Sequence, residues 1–519
     1  MKKEELKQNV KGYVHQFEDG GLRLLRKGQK GVIHAIFSRF GLVLILLLLQ
    51  VGLLFSIFRW FGNLWPHYFG GSVVVTSAMV IYLLNSKMDN SAKITWMVVV
   101  AIAPVVGIPM FFYVKSNFGH NILRKRLLEL EDQLRGWLPQ SQKAVEQLKA
   151  LEPGAASLAK YLYGRGGGFP VYQNTAMTYF PGGEAKFEEL LRQLETAEEY
   201  IFVEYFIIDE GLMWGKILEV LARKALQGVD VRVMYDGTCE FSTLPRNYPR
   251  LLEKLNIQCK VFSPVQPFVS THYNYRDHRK ILVIDGRVGF TGGVNLADEY
   301  INHIQKHGRW KDAAVMLEGE AVRSLTAQFL QMWGILKEPE YEQFLTRPIP
   351  VPENAKGVAA PYGDCPLDGE RVGEMVYIDL LNRARDYIHI MTPYLILDGE
   401  LETALKFAAE RGVDVHLILP GKPDKQFPYA LAKSHYSALL DSGVKISEWS
   451  PGFVHAKVFV VDGREAVVGT INLDYRSLYH HFEDAVWMVD APCIRDIEQD
   501  FQHTLEPVSY THLTLPTIA

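Results

Sequence analysis

One pattern of eighteen residues occurs twice in this chain. His278–Asn295 reads HRKILVIDGRVGFTGGVN, and His455–Asn472 reads HAKVFVVDGREAVVGTIN. In each copy a Lys follows the His by two positions, an Asp by seven, a Gly by fourteen and an Asn by seventeen. The first set is His278, Lys280, Asp285, Gly292 and Asn295; the second is His455, Lys457, Asp462, Gly469 and Asn472. A single His-x-Lys-x4-Asp is a weak signal, but two copies in register within the same apolar setting are a strong one.

The runs KILVID (Lys280–Asp285) and KVFVVD (Lys457–Asp462) are rich in β-branched residues and close on Asp-Gly, which predicts buried strands ending in turns. Residues two apart on a strand share a face, so each His points the same way as its Lys. Each copy therefore offers an imidazole, an ammonium and, after a glycine turn, an Asn amide. Two copies face to face place two His, two Lys and two Asn around one centre. That set suits a phosphodiester. Ammonium and amide groups neutralise and orient the oxygens, one imidazole attacks phosphorus, and the other protonates the leaving oxygen. Asp285 and Asp462 lie five residues beyond their lysines, on the opposite face of a regular strand, which favours a role in holding the Asp-Gly turn. Gly292, Gly293 and Gly469 would permit a tight backbone near the phosphate. Thr291 and Thr470 either add a hydroxyl there or belong to the turn.

The halves repeat beyond the motif. GVDVRVM (Gly228–Met234) matches GVDVHLI (Gly412–Ile418), and LNIQCKVFSP (Leu255–Pro264) matches SGVKISEWSP (Ser442–Pro451). Alternating strand and helix patterns predict an α/β protein, with a sandwich and a mixed sheet in each half. The expected lobes are 161–337 and 372–507. The stretch between them, 338–371, has six prolines and no clear period, and reads as an inter-lobe linker.

Gly41–Phe58, Trp65–Leu84 and Ile94–Val114 are apolar runs of about spanning length, so 1–120 reads as a membrane module with two or three transmembrane helices. Pro104 and Pro109 are tolerable in such a helix. Basic clusters both before the first run and after the third favour the cytoplasmic side. That conflicts if all three runs cross, and leaves open both the sidedness and whether Gly41–Phe58 spans. Residues 121–160 read as a helical connector, and 508–519 as a non-native tail. Lys plus Arg is 55 against 59 for Asp plus Glu, a balance that argues against a dedicated nucleic-acid binder. The four cysteines lack C-x2-C spacing, which implies neither a zinc site nor a disulfide framework.

The duplicated motif resembles the signature of the phospholipase D superfamily. NYRDHRKILVIDGRVGFTGGVNLADEY (Asn274–Tyr300), GRWKD (Gly308–Asp312), VGTINLDYRS (Val468–Ser477) and HFE (His481–Glu483) further resemble bacterial cardiolipin synthases, over about Trp60 to Leu505. The resemblance implies a two-lobed fold and a multi-pass protein of the bacterial cell membrane acting on phosphatidylglycerol. It implies His278, Lys280, Asp285, His455, Lys457 and Asp462 as the catalytic set, with Asn295 and Asn472 binding phosphate. Asp312 and Glu483 would orient the histidines, each bonding a far ring nitrogen. Glu204, Tyr205, Asp236 and Tyr394 resemble family positions near the pocket. No metal or cofactor is implied, since Lys280 and Lys457 carry the positive charge. The implied chemistry has two steps: His278 attacks one phosphatidylglycerol, His455 protonates the departing glycerol, and a second phosphatidylglycerol takes the phosphatidyl group. The alternatives are a phospholipase D or phosphatidyltransferase with another acceptor, and an inactive membrane scaffold. The two copies are too alike to rank their histidines, and neither the acceptor nor the oligomeric state is legible.

Overall fold

A computed structural model describes residues 16–18, 21–23, 65–86, 88, 90–115, 118–264 and 275–510. The chain divides into two units: 26–122 with 267–271, and the remainder.

The smaller unit contains helices α1 (Trp65–Leu84), α2 (Asn90–Ile102) and α3 (Pro104–Lys115). α1 has the bounds of the second apolar run. The third run, Ile94–Val114, is not the single helix expected of it. Proline has no N–H to donate to the carbonyl four residues back and its ring crowds that carbonyl, so Pro104 opens a new helix rather than continuing the old one. Met79, Leu83, Val100 and Phe111 form a small core. Among the described residues no helix is long and apolar enough to cross a membrane. Gly41–Phe58 lies outside the described residues.

Beyond residue 122 the larger unit runs through a helical connector, α4 (Phe118–Arg135), α5 (Gln142–Leu151) and α6 (Ala155–Gly164). Leu127, Leu134 and Leu138 are buried in the same core as both lobes, so this segment is part of the body rather than a solvated spacer.

In the first lobe come β1 (Thr175–Phe180), α7 (Gly183–Leu194), β2 (Tyr200–Tyr205), α8 (Leu212–Leu226), β3 (Asp230–Asp236), β4 (Gln258–Phe262), β5 (Lys280–Ile284), β6 (Val288–Gly292), β7 (Ala314–Gly319) and α9 (Val322–Trp333). In the second come β8 (Val358–Asp364), α10 (Val372–Arg383), β9 (Tyr387–Met391), α11 (Gly399–Glu410), β10 (Asp414–Pro420), α12 (Gln426–Asp441), β11 (Lys445–Trp449), β12 (Val458–Val461), β13 (Glu465–Gly469), β14 (His481–Val489), α13 (Ile494–Leu505) and β15 (Val508–Tyr510). The first sheet runs β1-β7-β6-β5-β2-β3-β4 and the second β8-β14-β13-β12-β9-β10-β11-β15. The order is the same, with β15 added at one edge. Both sheets are mixed: β2 is parallel to β3 but antiparallel to β5, as β9 is to β10 and β12.

The motif strands sit at the middle of each sheet. Every residue of β5 and β12 is buried, as near-continuous apolar runs require when both faces are covered. One face of each sheet contributes to a core shared by both lobes, where Phe202, Val283 and Phe329 join Val460, Met488 and Phe501. Each opposite face has its own core under helices, α7 and α8 in one lobe and α10 and α11 in the other.

The stretch 338–371 is more than a linker, since it contains β8. Pro361 hid this strand from a reading by propensity. It is tolerated because β8 is the edge strand of its sheet, where a missing N–H breaks no internal ladder. Val508–Tyr510, at the start of the expected tail, pairs antiparallel with β11.

Candidate active site

Two short parallel pairings carry backbone from one lobe onto the other. Arg276–Asp277, just before His278, pairs with His481–Phe482, just before Glu483. Gly452–Val454, just before His455, pairs with Arg309–Lys311, just before Asp312. Two backbone bonds close these junctions: the His278 N–H donates to the Phe482 carbonyl at 2.9 Å, and the His455 N–H donates to the Lys311 carbonyl at 2.6 Å. Each histidine is thus delivered beside the carboxylate of the opposite lobe. His278 Nδ1 lies 2.8 Å from Glu483 Oε2, and His455 Nδ1 lies 2.7 Å from Asp312 Oδ2. Both carboxylates are fully buried. Gly293 leaves room for one of them, since a Cβ there would stand 1.9 Å from Asp312 Oδ1.

The lysines complete the centre. Lys280 Nζ donates to the His278 carbonyl at 2.5 Å and lies over the Phe206 ring. Lys457 Nζ donates to the His455 carbonyl and lies 2.9 Å from His455 Nδ1. Burial lowers both ammonium groups, Lys280 to about 8 and Lys457 to about 7, although carboxylates of both lobes oppose the shift. Burial and then Lys457 bring His455 down to about 4 against the pull of Asp312. Burial also takes His278 well below its usual value, with Glu483 opposing. The acids move the other way. Burial would raise Asp312, but the charge and hydrogen bond of His455, with Lys457, hold it at about 2. Glu483 is likewise pulled well below the carboxylate range by His278 and His481 despite its burial. Ionised carboxylates thus face both Nδ1 atoms. In the neutral ring that keeps the proton on Nδ1 and leaves Nε2 with its lone pair.

Asp285 and Asp462 are not in this centre, although the motif groups them with the catalytic residues. Each sits at the far end of its motif strand in a two-residue turn with positive φ at Asp and Gly (50° and 65°, 51° and 64°). Their carboxylates accept three backbone N–H groups at the start of the neighbouring strand: Glu198, Glu199 and Tyr200 for Asp285; Arg385, Asp386 and Tyr387 for Asp462. They tie β5 to β2 and β12 to β9.

Asn295 and Asn472 are buried near the centre. Asn295 Oδ1 accepts the Ile207 N–H at 3.0 Å and its Nδ2 donates to the Tyr300 hydroxyl at 2.8 Å. The Tyr300 ring in turn stacks edge-on against His455. Thr470 donates to Glu483 Oε2 and Thr291 to Asp484 Oδ2, both at 2.5 Å, so the two hydroxyls hold carboxylates. Asp236 accepts the Asp277 N–H and pairs with Arg276, which fixes the segment leading into His278. Glu204 pairs with Arg279 at 2.5 Å, Tyr205 accepts from Lys186, and Tyr394 donates to Asp424. His481, Ser477, Asp484 and Trp310 were missed by sequence reasoning. The signal was present: all but Ser477 lie within two residues of Glu483 or Asp312. His278, His481 and Glu483 also bring potential metal-ligand atoms within 4.8 Å of one another, as do Glu374, Asp398 and Glu400. In the first group both imidazoles already share the glutamate.

Two duplicated α/β lobes that share one His–Lys pair each define a phospholipase D-like enzyme. A family model described as cardiolipin synthase, phospholipase D-like domain, matches residues 190–333 and 377–505. Among curated relatives, a cardiolipin synthase of Geobacillus kaustophilus is 35% identical, over 83% of this chain and 86% of its own. Cardiolipin synthase 2 of Bacillus anthracis is also 35% identical, over 84% of each chain. An uncharacterised protein of Streptococcus mutans is 56% identical, over 82% of this chain and 92% of its own. The crystal structure of a phosphatidylserine synthase from Haemophilus influenzae shares the fold, with a TM-score of 0.50 at 14% identity, over 64% of this chain and 87% of that one. The chain belongs to the cardiolipin synthase family, a family of phosphatidyltransferases within the phospholipase D superfamily.

Proposed function

We propose that the protein makes cardiolipin from two molecules of phosphatidylglycerol. The observation that carries this is the crossed pairing of His278 with Glu483 and His455 with Asp312, each Nδ1 on a buried carboxylate. In the first step His278 Nε2 attacks phosphorus, a nitrogen–phosphorus bond forms, and the bond from phosphorus to the glycerol oxygen breaks. His455 gives that oxygen its proton, and glycerol leaves. In the second step His455 takes the proton from the free hydroxyl of another phosphatidylglycerol. That oxygen attacks phosphorus, the nitrogen–phosphorus bond breaks, and cardiolipin is released. Lys280 and Lys457 hold the phosphate oxygens where negative charge grows, and the Asn295 and Asn472 amides add neutral donors. The anionic phosphodiester itself favours a proton on the imidazole opposite the nucleophile. No metal or cofactor takes part in this reading, and the apolar N-terminal segments attach the protein to a bilayer.

The test is the lipid product made in phosphatidylglycerol vesicles, followed by mass spectrometry. Cardiolipin with an equal amount of glycerol supports the synthase. Phosphatidic acid in its place would make the protein a phospholipase D.

A further inference from the structure

The two orienting carboxylates are held differently. Asp312 accepts from His455, from the Ala313 N–H at 2.9 Å and from the Trp310 indole at 3.3 Å. Glu483 accepts from four side chains. His278 and Thr470 bond Oε2 at 2.8 and 2.5 Å; Ser477 and His481 bond Oε1 at 2.5 and 3.3 Å. The unexpected member is His481. It stands two residues before Glu483, where the first lobe has Trp310 two residues before Asp312. Trp310 packs its ring 5.2 Å from His455, and His481 packs its ring 5.1 Å from His278. His481 is 7% exposed, and its Nε2 is buried with no hydrogen-bond partner among the described residues.

We propose that His481 is a positioning residue that, through Glu483, commits His278 rather than His455 to carry the phosphatidyl group. With Ser477 and His481 on Oε1, the carboxylate cannot swing away from His278 as that ring accepts phosphorus. The Nδ1–H stays directed at the ionised carboxylate, and the Nε2 lone pair stays on the pocket side. A ring substituted at Nε2 carries positive charge, which a pinned carboxylate stabilises. The other histidine has the opposite bias. Both lysines donate to the carbonyl of their own histidine, but Lys457 Nζ also stands 2.9 Å from a ring nitrogen, His455 Nδ1. An ammonium beside a ring weakens the imidazolium, so His455 gives up a proton more readily and stabilises a covalent adduct less. Trp310 in the first lobe donates at 3.3 Å to Oδ2, the oxygen that His455 already bonds, and the other oxygen of Asp312 accepts only the Ala313 backbone N–H, so no side chain there grips the second oxygen as Ser477 and His481 do.

The proposal rests on the phosphatidyl-transfer reading. It is tested on the full-length protein in phosphatidylglycerol vesicles with His481→Ala and His481→Asn, the Asn amide standing in for the Nδ1–H donor. Reactions are quenched in cold neutral denaturant, and peptides spanning His278 and His455 are weighed for a phosphatidyl adduct. Wild type is expected to carry the adduct on His278. His481→Ala should lose about tenfold in kcat with KM within about twofold, and carry less adduct. His481→Asn should recover most of both, which a merely structural cavity effect would not. A His481→Ala variant with wild-type kcat, an Asn variant no better than Ala, or an adduct on His455 overturns the proposal. Wild type giving neither adduct nor lipid product overturns the transfer reading instead.

Discussion

The two lobes have the same strand order and the same motif, yet the shells around their histidines differ. In the first lobe the ring of His455's carboxylate partner is completed by an indole and a backbone amide. In the second, His278's partner is gripped by two hydroxyls and a third histidine. The sheets themselves, where packing decides, are near copies. At the site the difference lies in the groups that hold the two carboxylates. A duplicated fold can therefore supply two chemically distinct histidines without altering its backbone, because a neighbouring residue two positions away sets the environment of each.

The comparison breaks most severely at the histidines. His278→Ala and His455→Ala should each lower kcat by roughly 10⁴-fold in the vesicle assay, with unchanged thermal unfolding. If only one of them mattered, the lobes would not share a site. The turn aspartates test the other half of the comparison, where the lobes are alike. Asp285→Ala and Asp462→Ala each strand three backbone N–H groups, and each should cost about 2–3 kcal/mol in denaturant unfolding while activity per folded molecule is kept. Equal losses from the two would support a purely architectural role; loss of kcat without loss of stability would return them to the catalytic set.

The smallest effect expected is on pH dependence. The free enzyme's Lys457 and Lys280, lowered by burial to about 7 and 8, are charged below those values and neutral above them. Profiles of kcat/KM report the free enzyme, so the value should fall as pH rises from about 7 to 9. On the acid side the value should go on rising as pH falls below 7, because the first step needs a protonated His455 and burial holds that ring at about 4 in the free enzyme. Lys457→Arg should remove the lower of the two alkaline steps, since a guanidinium stays charged across this range.

Much of this was legible in the sequence. The motif strands, the duplicated α/β order and the centre of two His and two Lys follow from alternation and register. So does the architectural role of Asp285 and Asp462, because an odd spacing turns them away from the lysines. Asp312 and Glu483 were recognisable as a matched pair. The sequence could not reveal that each serves the histidine of the other lobe, because that crossing depends on two short parallel pairings between Arg276–Asp277 and His481–Phe482 and between Arg309–Lys311 and Gly452–Val454. No local pattern encodes a two- or three-residue pairing between segments more than a hundred residues apart. β8 was lost for a different reason: Pro361 argues against a strand unless the strand is known to lie at an edge. The helix break at Pro104 was hidden by treating an apolar run as one element.

The crossing is also the most direct point of test. The kcat of Glu483→Gln, Asp312→Asn and the double variant should be measured in phosphatidylglycerol vesicles alongside their melting temperatures. With one composite site, each single variant loses about 100-fold or more and the double loses little beyond the worse single, while all three stay folded. Single variants within about twofold of wild type would contradict the account, since the buried carboxylates would then be structural and the histidines would act without them.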